Sequence, residues 1–217
     1  MPTSSAAYHH GDLPAACLRA AMELLEENGS AALSLRAVAR RAGVSPTAPY
    51  RHYADRDALM SAVAAMGYGE LAEQLAAAHP SPSTRDDLAA VAIAYVQFAL
   101  EHPALFRVMF VEPCDPDSSE RVAATAAISE YVGSIVRHAF PGADPDAMST
   151  AVWALVHGLA FLHLDGKLDT STPAVVSDRV RAAVHALLTA SDTTSRAAAA
   201  PTSIHGQAPR TRSARPR

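Results

Sequence analysis

The stretch LSLRAVARRAGVSPTAPYRHYADRDAL, Leu33 to Leu59, decides how the rest of the chain is read. Ser34 precedes Leu35, Val38, Ala39 and Ala42, which recur at helical spacing, so its hydroxyl is placed to cap a short helix. Gly43 ends that helix, because only a residue without a side chain turns freely into the left-handed region. Ser45 then stands as a second N-cap, with Pro46 at the first helical position, where a missing N–H costs little. Two short helices around the Ala42-Gly43-Val44 turn predict a helix-turn-helix. Charge follows the same boundary. Between Ser34 and Arg56 five arginines (Arg36, Arg40, Arg41, Arg51, Arg56) face one acid, Asp55, whereas Asp57 to Ala190 holds seven basic and sixteen acidic residues. A short basic segment on an acidic body suits a protein that meets phosphates with one face, even at a net charge of -4.

Outward from this stretch the chain reads as all-α. Alanine is abundant, β-branched alternation is scarce, and apolar residues keep helical spacing. A first helix carries Leu13, Cys17, Ala20, Leu24 and Leu25 on one face, has Pro14 in its first turn and stops at Asn28-Gly29. Beyond Asp55 a further helix is expected to run to about His79, bent at Gly67 and Gly69, before the Pro80-Ser-Pro-Ser connector. Helices then follow over Thr84 to Glu101, Pro103 to Phe110, Ser118 to Phe140, Asp144 to Leu164 and Pro173 to Ala190. The resulting domains are 1–56, 57–190 and a tail, 191–217, whose Ala, Pro, Ser, Thr and Arg lack periodicity and predict disorder.

The 217 residues suffice for a sizeable core without a metal or disulfide staple. Cys17 and Cys114 lack the paired spacing of a zinc site, and Cys17 reads as a core residue. No secretory leader is visible, and the apolar run Met148 to Leu164 carries His157 and His163, which fits a buried helix better than a membrane span. A cytoplasmic protein is expected. No nucleophile with its base, phosphate-binding glycine loop or metal cluster is visible, so neither an enzyme nor a cofactor is expected. His9-His10 is weak evidence for a metal.

In order and spacing, Leu33 to Leu59 resembles the DNA-binding region of the TetR family: the helix start, Val-Ala, Ala-Gly-Val-Ser, aromatic-x-His-aromatic, and a basic residue followed by x-x-Leu. The likeness is close over about the first sixty residues. N-terminal residues of a recognition helix enter the major groove first, so Pro46, Thr47 and Ala48 are the candidates for base contacts. Arg51 is the long donor there, for a guanine edge or a phosphate. Ser34, Tyr50, His52 and Arg56 match family positions that grip the phosphate backbone, and Arg36 and Ser45 join them as phosphate candidates. For Tyr50 and Tyr53 the alternative is a ring packed on the first helix. Pro49 departs from the family, which usually has leucine or a similar residue there. It removes one helical hydrogen bond and discourages helical geometry at Ala48, so the recognition helix is expected to begin as a distorted turn.

The segment Trp153-Ala-Leu-Val-His157-Gly158, with Leu164-Asp165-Gly166 and His102-Pro103 to Phe110, resembles a TetR subgroup with a Trp-x-x-x-His-Gly signature. The resemblance implies that the C-terminal helices dimerise and enclose a small ligand. Pocket candidates are Tyr95, Phe98, Phe106, Met109, Phe110, Trp153 and His157, although residues of this kind at helical spacing are core more often than ligand wall. The expectation is a homodimeric, ligand-released repressor of a palindromic operator. The alternative is a helical small-molecule-binding or interaction protein without specific DNA binding.

Overall fold

A computed structural model describes residues 13–113, 115, 117–140 and 142–199, with side chains to 189. His9, His10, Cys114 and residues 200–217 lie outside the described residues. All regular structure among the described residues is helical. Helix α1 (Leu13–Asn28) buries Cys17, Ala20, Ala21, Leu24 and Leu25. Gly29, at φ 72°, ends it, and a 3₁₀ turn (Ser30–Ala32) leads to α2 (Leu35–Arg41). The Ser34 hydroxyl caps α2, accepting from the Ala37 N–H at 3.2 Å. Leu33, Leu35 and Val38 are buried beneath α2, each burial stabilising by about 1.5–3 kcal/mol. Gly43, at φ 69°, makes the turn, and the Val44 N–H closes it onto the Ala39 carbonyl at 3.0 Å.

The predicted third helix does not form as an α-helix. Pro49–Arg51 is a single 3₁₀ turn, preceded by turn geometry at Pro46 and Thr47. Ser45 is therefore not a helix cap: its hydroxyl meets that of Thr47 at 3.4 Å, and its carbonyl accepts from Ala48 at 3.0 Å. The cause is Pro49, which has no N–H for the Ser45 carbonyl, so the first α-helical hydrogen bond cannot close. Ala48 nevertheless keeps right-handed helical angles (φ −61°, ψ −45°), contrary to expectation. Its small side chain tolerates the crowding of the buried proline ring.

Helix α3 (Arg56–Ala78) is capped by Asp55, whose carboxylate accepts from the Ala58 N–H at 2.9 Å. It runs unbroken through Gly67 and Gly69. Gly67 serves packing instead: a β-carbon there would lie 2.7 Å from Met109 Sδ and 2.9 Å from Leu105 Cδ1. Those side chains belong to α5 (Pro103–Phe110), which crosses α3 at that point. Helix α4 (Arg85–Glu101) opens on a reciprocal cap between Thr84 and Asp87 and buries Tyr95 and Phe98 among ten residues. At His102 the chain bends by 105° into α5.

Helices α6 (Ser119–Ala139), α7 (Pro145–Leu164) and α8 (Pro173–Ala199) complete the fold. The α4 helix packs on α3, α5, α7 and α8, while α6 lies across α3 and α7. The Tyr131 hydroxyl fixes α6 to the end of α3 by donating to the carbonyls of His79 (2.9 Å) and Leu75 (3.2 Å). Helix α7 is apolar and long enough to cross a membrane by composition alone. Here it packs on α4, α6 and α8 and buries His163. Helix α8 continues to Ala199, past the expected end at Ala190. Ala190 and Ala197 to Ala199 carry high helix propensity, which outweighs the missing apolar periodicity.

Candidate nucleic-acid interface and small-molecule cleft

Around the Gly43 turn the fold leaves a polar, cationic surface. Ser34, Arg36 and Arg40 project from the start and outer face of α2, with Arg36 and Arg40 one helical turn apart. Ser45, Pro46 and Thr47 are exposed in the turn, Ala48 is half-buried, and Tyr50, Arg51 and His52 are exposed along the 3₁₀ turn. Tyr50 is 50 % exposed, whereas Tyr53 is buried, with its hydroxyl directed at the Pro14 carbonyl on α1 (3.5 Å). Of the two tyrosines, only Tyr50 offers its ring and hydroxyl to a partner.

The five arginines of this segment divide by partner. Arg41 is tied to α1, donating to Glu27 (3.0 and 2.5 Å) and Glu23 (3.2 Å), and its guanidinium holds the Glu27 carboxyl below the usual range. Arg56 donates to the backbone carbonyls of Leu33 (3.2 Å) and Ser30 (3.0 Å), locking α3 to the entry of α2. That engagement gives Arg56 a positioning role beside the phosphate role expected for it. Arg36, Arg40 and Arg51 are the arginines here whose side chains stand exposed.

A cleft of about 880 Å³ opens in the C-terminal helices. Tyr68 from α3, Met109 and Phe110 from α5 and Trp153 from α7 form its apolar side. Helix α6 supplies Ile128 and Val132 together with Arg121, Thr125, Ser129, Glu130 and Arg137, and the first turns of α7 add Asp146, Ser149 and Thr150. Of the expected pocket residues, Met109, Phe110 and Trp153 line this cleft. Tyr95, Phe98 and Phe106 do not; they are buried core. His157 stands directly behind the wall, with its ring centroid 4.7 Å from Phe110 and 5.6 Å from Trp153. Its Nδ1 shares a hydrogen bond with the Tyr95 hydroxyl at 2.9 Å. Burial lowers the His157 pKa from its ordinary value and raises that of Tyr95, favouring the neutral form of each. The polar half of the cleft on α6 went unread in the sequence. Its visible trace was an amphipathic helix with few residues able to enter a core, only Ile135 and Val136 being fully buried.

Helix α5 connects the two regions. Its Met109 carbonyl accepts from the buried Tyr68 hydroxyl at 2.8 Å. Glu112, just beyond α5, accepts from the Ser30 hydroxyl at 2.7 Å, and α5 also packs on α1. Direct contacts therefore join the cleft wall to the helix-turn-helix.

Comparison with known proteins agrees with this division. Residues 18–63 match the family described as bacterial regulatory proteins, tetR family, and residues 88–187 match the tetracyclin repressor-like C-terminal domain. An HTH-type transcriptional regulator of Mycobacterium tuberculosis is 33 % identical over 119 residues, 51 % of this chain and 50 % of that protein. The chain thus spans about half the length of the curated relatives it first matches. Among solved structures, a Rhodococcus sp. RHA1 protein of unknown function is 34 % identical, with a TM-score of 0.70 over 83 % of this chain and 97 % of that one. A bacterial regulatory protein in the tetR family, also from Rhodococcus RHA1, shares the fold at 22 % identity and a TM-score of 0.60, covering 79 % and 94 % of the two chains. With both its N-terminal and its C-terminal segments matched, the chain belongs to the TetR family of bacterial regulatory proteins.

Proposed function

We propose that the chain is a DNA-binding transcriptional regulator that a small molecule releases from a palindromic operator, acting as a cytoplasmic homodimer and repressing by promoter overlap. The observation that carries the reading is the exposed cluster of Ser34, Arg36, Arg40, Tyr50, Arg51 and His52 around the Gly43 turn, on an otherwise acidic body. Hydroxyl, imidazole and guanidinium donors all suit phosphate oxygens, and Arg51 is the long donor there for a base edge or a phosphate. Pro46, Thr47 and Ala48 remain the candidates for base contact, with Ser45 and Arg56 among the phosphate contacts. The division into residues 1–56 for DNA and 57–190 for effector and dimer follows the same reading, and Trp153, His157 and Gly158 favour the Trp-x-x-x-His-Gly subgroup.

One helix-turn-helix reads only a half-site, so two copies on a two-fold axis are needed for a palindrome. Helix α7 leaves Ala147, Ala151, Ala154, Gly158 and Leu162 exposed at helical spacing, a face on which a second copy can pack closely. Release is a population shift: a ligand that prefers mis-spaced recognition elements weakens DNA binding by its differential affinity.

The test is titration onto DNA from upstream of the chain's own gene and onto random DNA, at several salt concentrations. A preference for the upstream DNA and a steep fall in affinity with salt are expected. Equal, weak binding to both, persisting across a genomic library, overturns DNA reading. It would favour a ligand-binding protein without an operator, to which the 3₁₀ turn in place of a recognition helix already points.

A further inference from the structure

The charges lining the cleft are unequally satisfied. Arg137 and Glu130 pair with each other at 2.9 Å, so their charges cancel locally. Asp146 is exposed in the first turn of α7, where water and the positive end of the helix both favour a carboxylate. Arg121, in the first turn of α6, is different. Its Nε is buried without a hydrogen-bond partner, and none of the ion pairs of the described residues includes its guanidinium. The neighbouring hydroxyls do not relieve it. Thr125 donates to the carbonyls of Arg121 and Val122, Ser129 to that of Thr125, and Thr150 to that of Asp146.

A guanidinium stays charged throughout the accessible pH range, and a buried charged donor without an acceptor is costly. Arg121 lines the cleft without an ion-pair partner among the described residues, so its guanidinium stands ready for an acceptor brought in from outside. The opposite side of the cleft is apolar and aromatic, formed by Tyr68, Met109, Phe110 and Trp153. At about 880 Å³ the space falls within the range of small-molecule sites.

We infer that the effector is an amphipathic organic anion, its acidic group held by the Arg121 guanidinium and its apolar body against Tyr68, Phe110 and Trp153. The inference rests on the reading of this cleft as the effector site. A carboxylate or sulfonate takes two parallel N–H donors from one guanidinium, which a neutral or cationic ligand of the same skeleton cannot match. Bound there, the anion pairs with the guanidinium that lines the cleft, and the rings exclude water from the pair.

A matched pair of dyes tests this: 1-anilinonaphthalene-8-sulfonate and N-phenyl-1-naphthylamine, which share a skeleton and differ by the sulfonate. Binding to the full chain is followed by dye emission and by quenching of Trp153, the sole tryptophan. The sulfonate is expected to bind at least tenfold more tightly. Arg121→Met should bring the ratio of the two affinities to about one while leaving the neutral dye's affinity unchanged, and Arg121→Lys should keep part of the preference. Circular dichroism and thermal melting show that the variants fold. A preference for the neutral dye, or one that survives Arg121→Met, overturns the anion while the cleft remains the binding site. Failure of both dyes to quench Trp153 overturns the cleft as effector site, and the anion with it.

Discussion

The Ser30 hydroxyl donates to Glu112 Oε1 across 2.7 Å, joining residues 82 apart in sequence. Ser30 opens the turn between α1 and α2, and Glu112 follows the helix that presents Met109 and Phe110 to the cleft. The bond thus ties the end of α5 to the turn that leads into α2, and under the proposed function it is the candidate link between cleft and DNA-binding surface. Glu112→Ala should leave operator affinity of the unliganded protein within twofold, yet reduce the loss of affinity caused by a saturating cleft ligand severalfold. Allosteric coupling is typically about 1–3 kcal/mol in total, so removing one tether is measurable. Operator titrations with and without the sulfonate dye give the number. A ligand response equal to that of the parent protein would show that the bond transmits nothing.

Arg41 and Arg51 separate structure from recognition within one basic segment. The Arg41 guanidinium is occupied by Glu23 and Glu27, whereas Arg51 is exposed on the 3₁₀ turn. Arg51→Ala is expected to weaken operator binding by about 1–3 kcal/mol if it reads a base, with relaxed preference at that position. If it holds a phosphate, affinity should fall for all sequences alike and the salt slope drop by about 1. Arg41→Ala should change operator affinity far less. Equal losses from the two variants would mean that the exposed cluster does not face DNA.

Most helix limits were legible because their caps are local chemistry. Ser34, Asp55, Thr84, Ser118 and Asp144 all accept from backbone N–H groups one turn on, as their positions foretell. Gly29 and Gly43 carry the positive φ their turns require. What failed depended on partners distant in sequence. Gly67 looks like a helix breaker until α5 is laid across it, and Phe106 looks like a pocket wall until Tyr95, Phe110 and Phe161 close around it. The cleft's cationic side escaped notice because nothing in the local sequence around Arg121 tells that its Nε ends buried and unpaired.

Gly67 and Gly69 offer a packing measurement inside one helix. A β-carbon on Gly69 meets nothing within 4 Å, so Gly69→Ala should stabilise the protein by up to about 1 kcal/mol through helix propensity. At Gly67 the same gain is opposed by overlap with Met109 and Leu105, which typically costs about 1–3 kcal/mol. The difference between the two variants in urea denaturation therefore isolates the closeness of α3 to α5. Identical free energies would show that α5 yields freely to an added methyl group.

Two histidines, the half-buried His157 and the buried His163, predict how stability depends on pH. Burial lowers the pKa of both His157 and His163; at His163 the positive charge of Arg179 acts in the same direction, and Asp169 opposes it. In the unfolded chain these imidazoles titrate near their ordinary value of about 6.5, so below that pH the unfolded state binds more protons than the folded one. Their contribution is therefore complete above about pH 6.5 and is lost as the pH falls from there through the lower folded values. The acids whose pKa is lowered, Asp87 and Asp169 among them, act in a separate window at more acidic pH. The melting temperature should thus decline between pH 7 and 5 at fixed ionic strength. His163→Leu should flatten part of that decline, because it removes one of the buried groups whose proton uptake favours the unfolded chain. His157→Phe should flatten another part while lowering the melting temperature at every pH, since it strands the Tyr95 hydroxyl. A decline of unchanged depth in the double variant would place the pH sensitivity outside this pair.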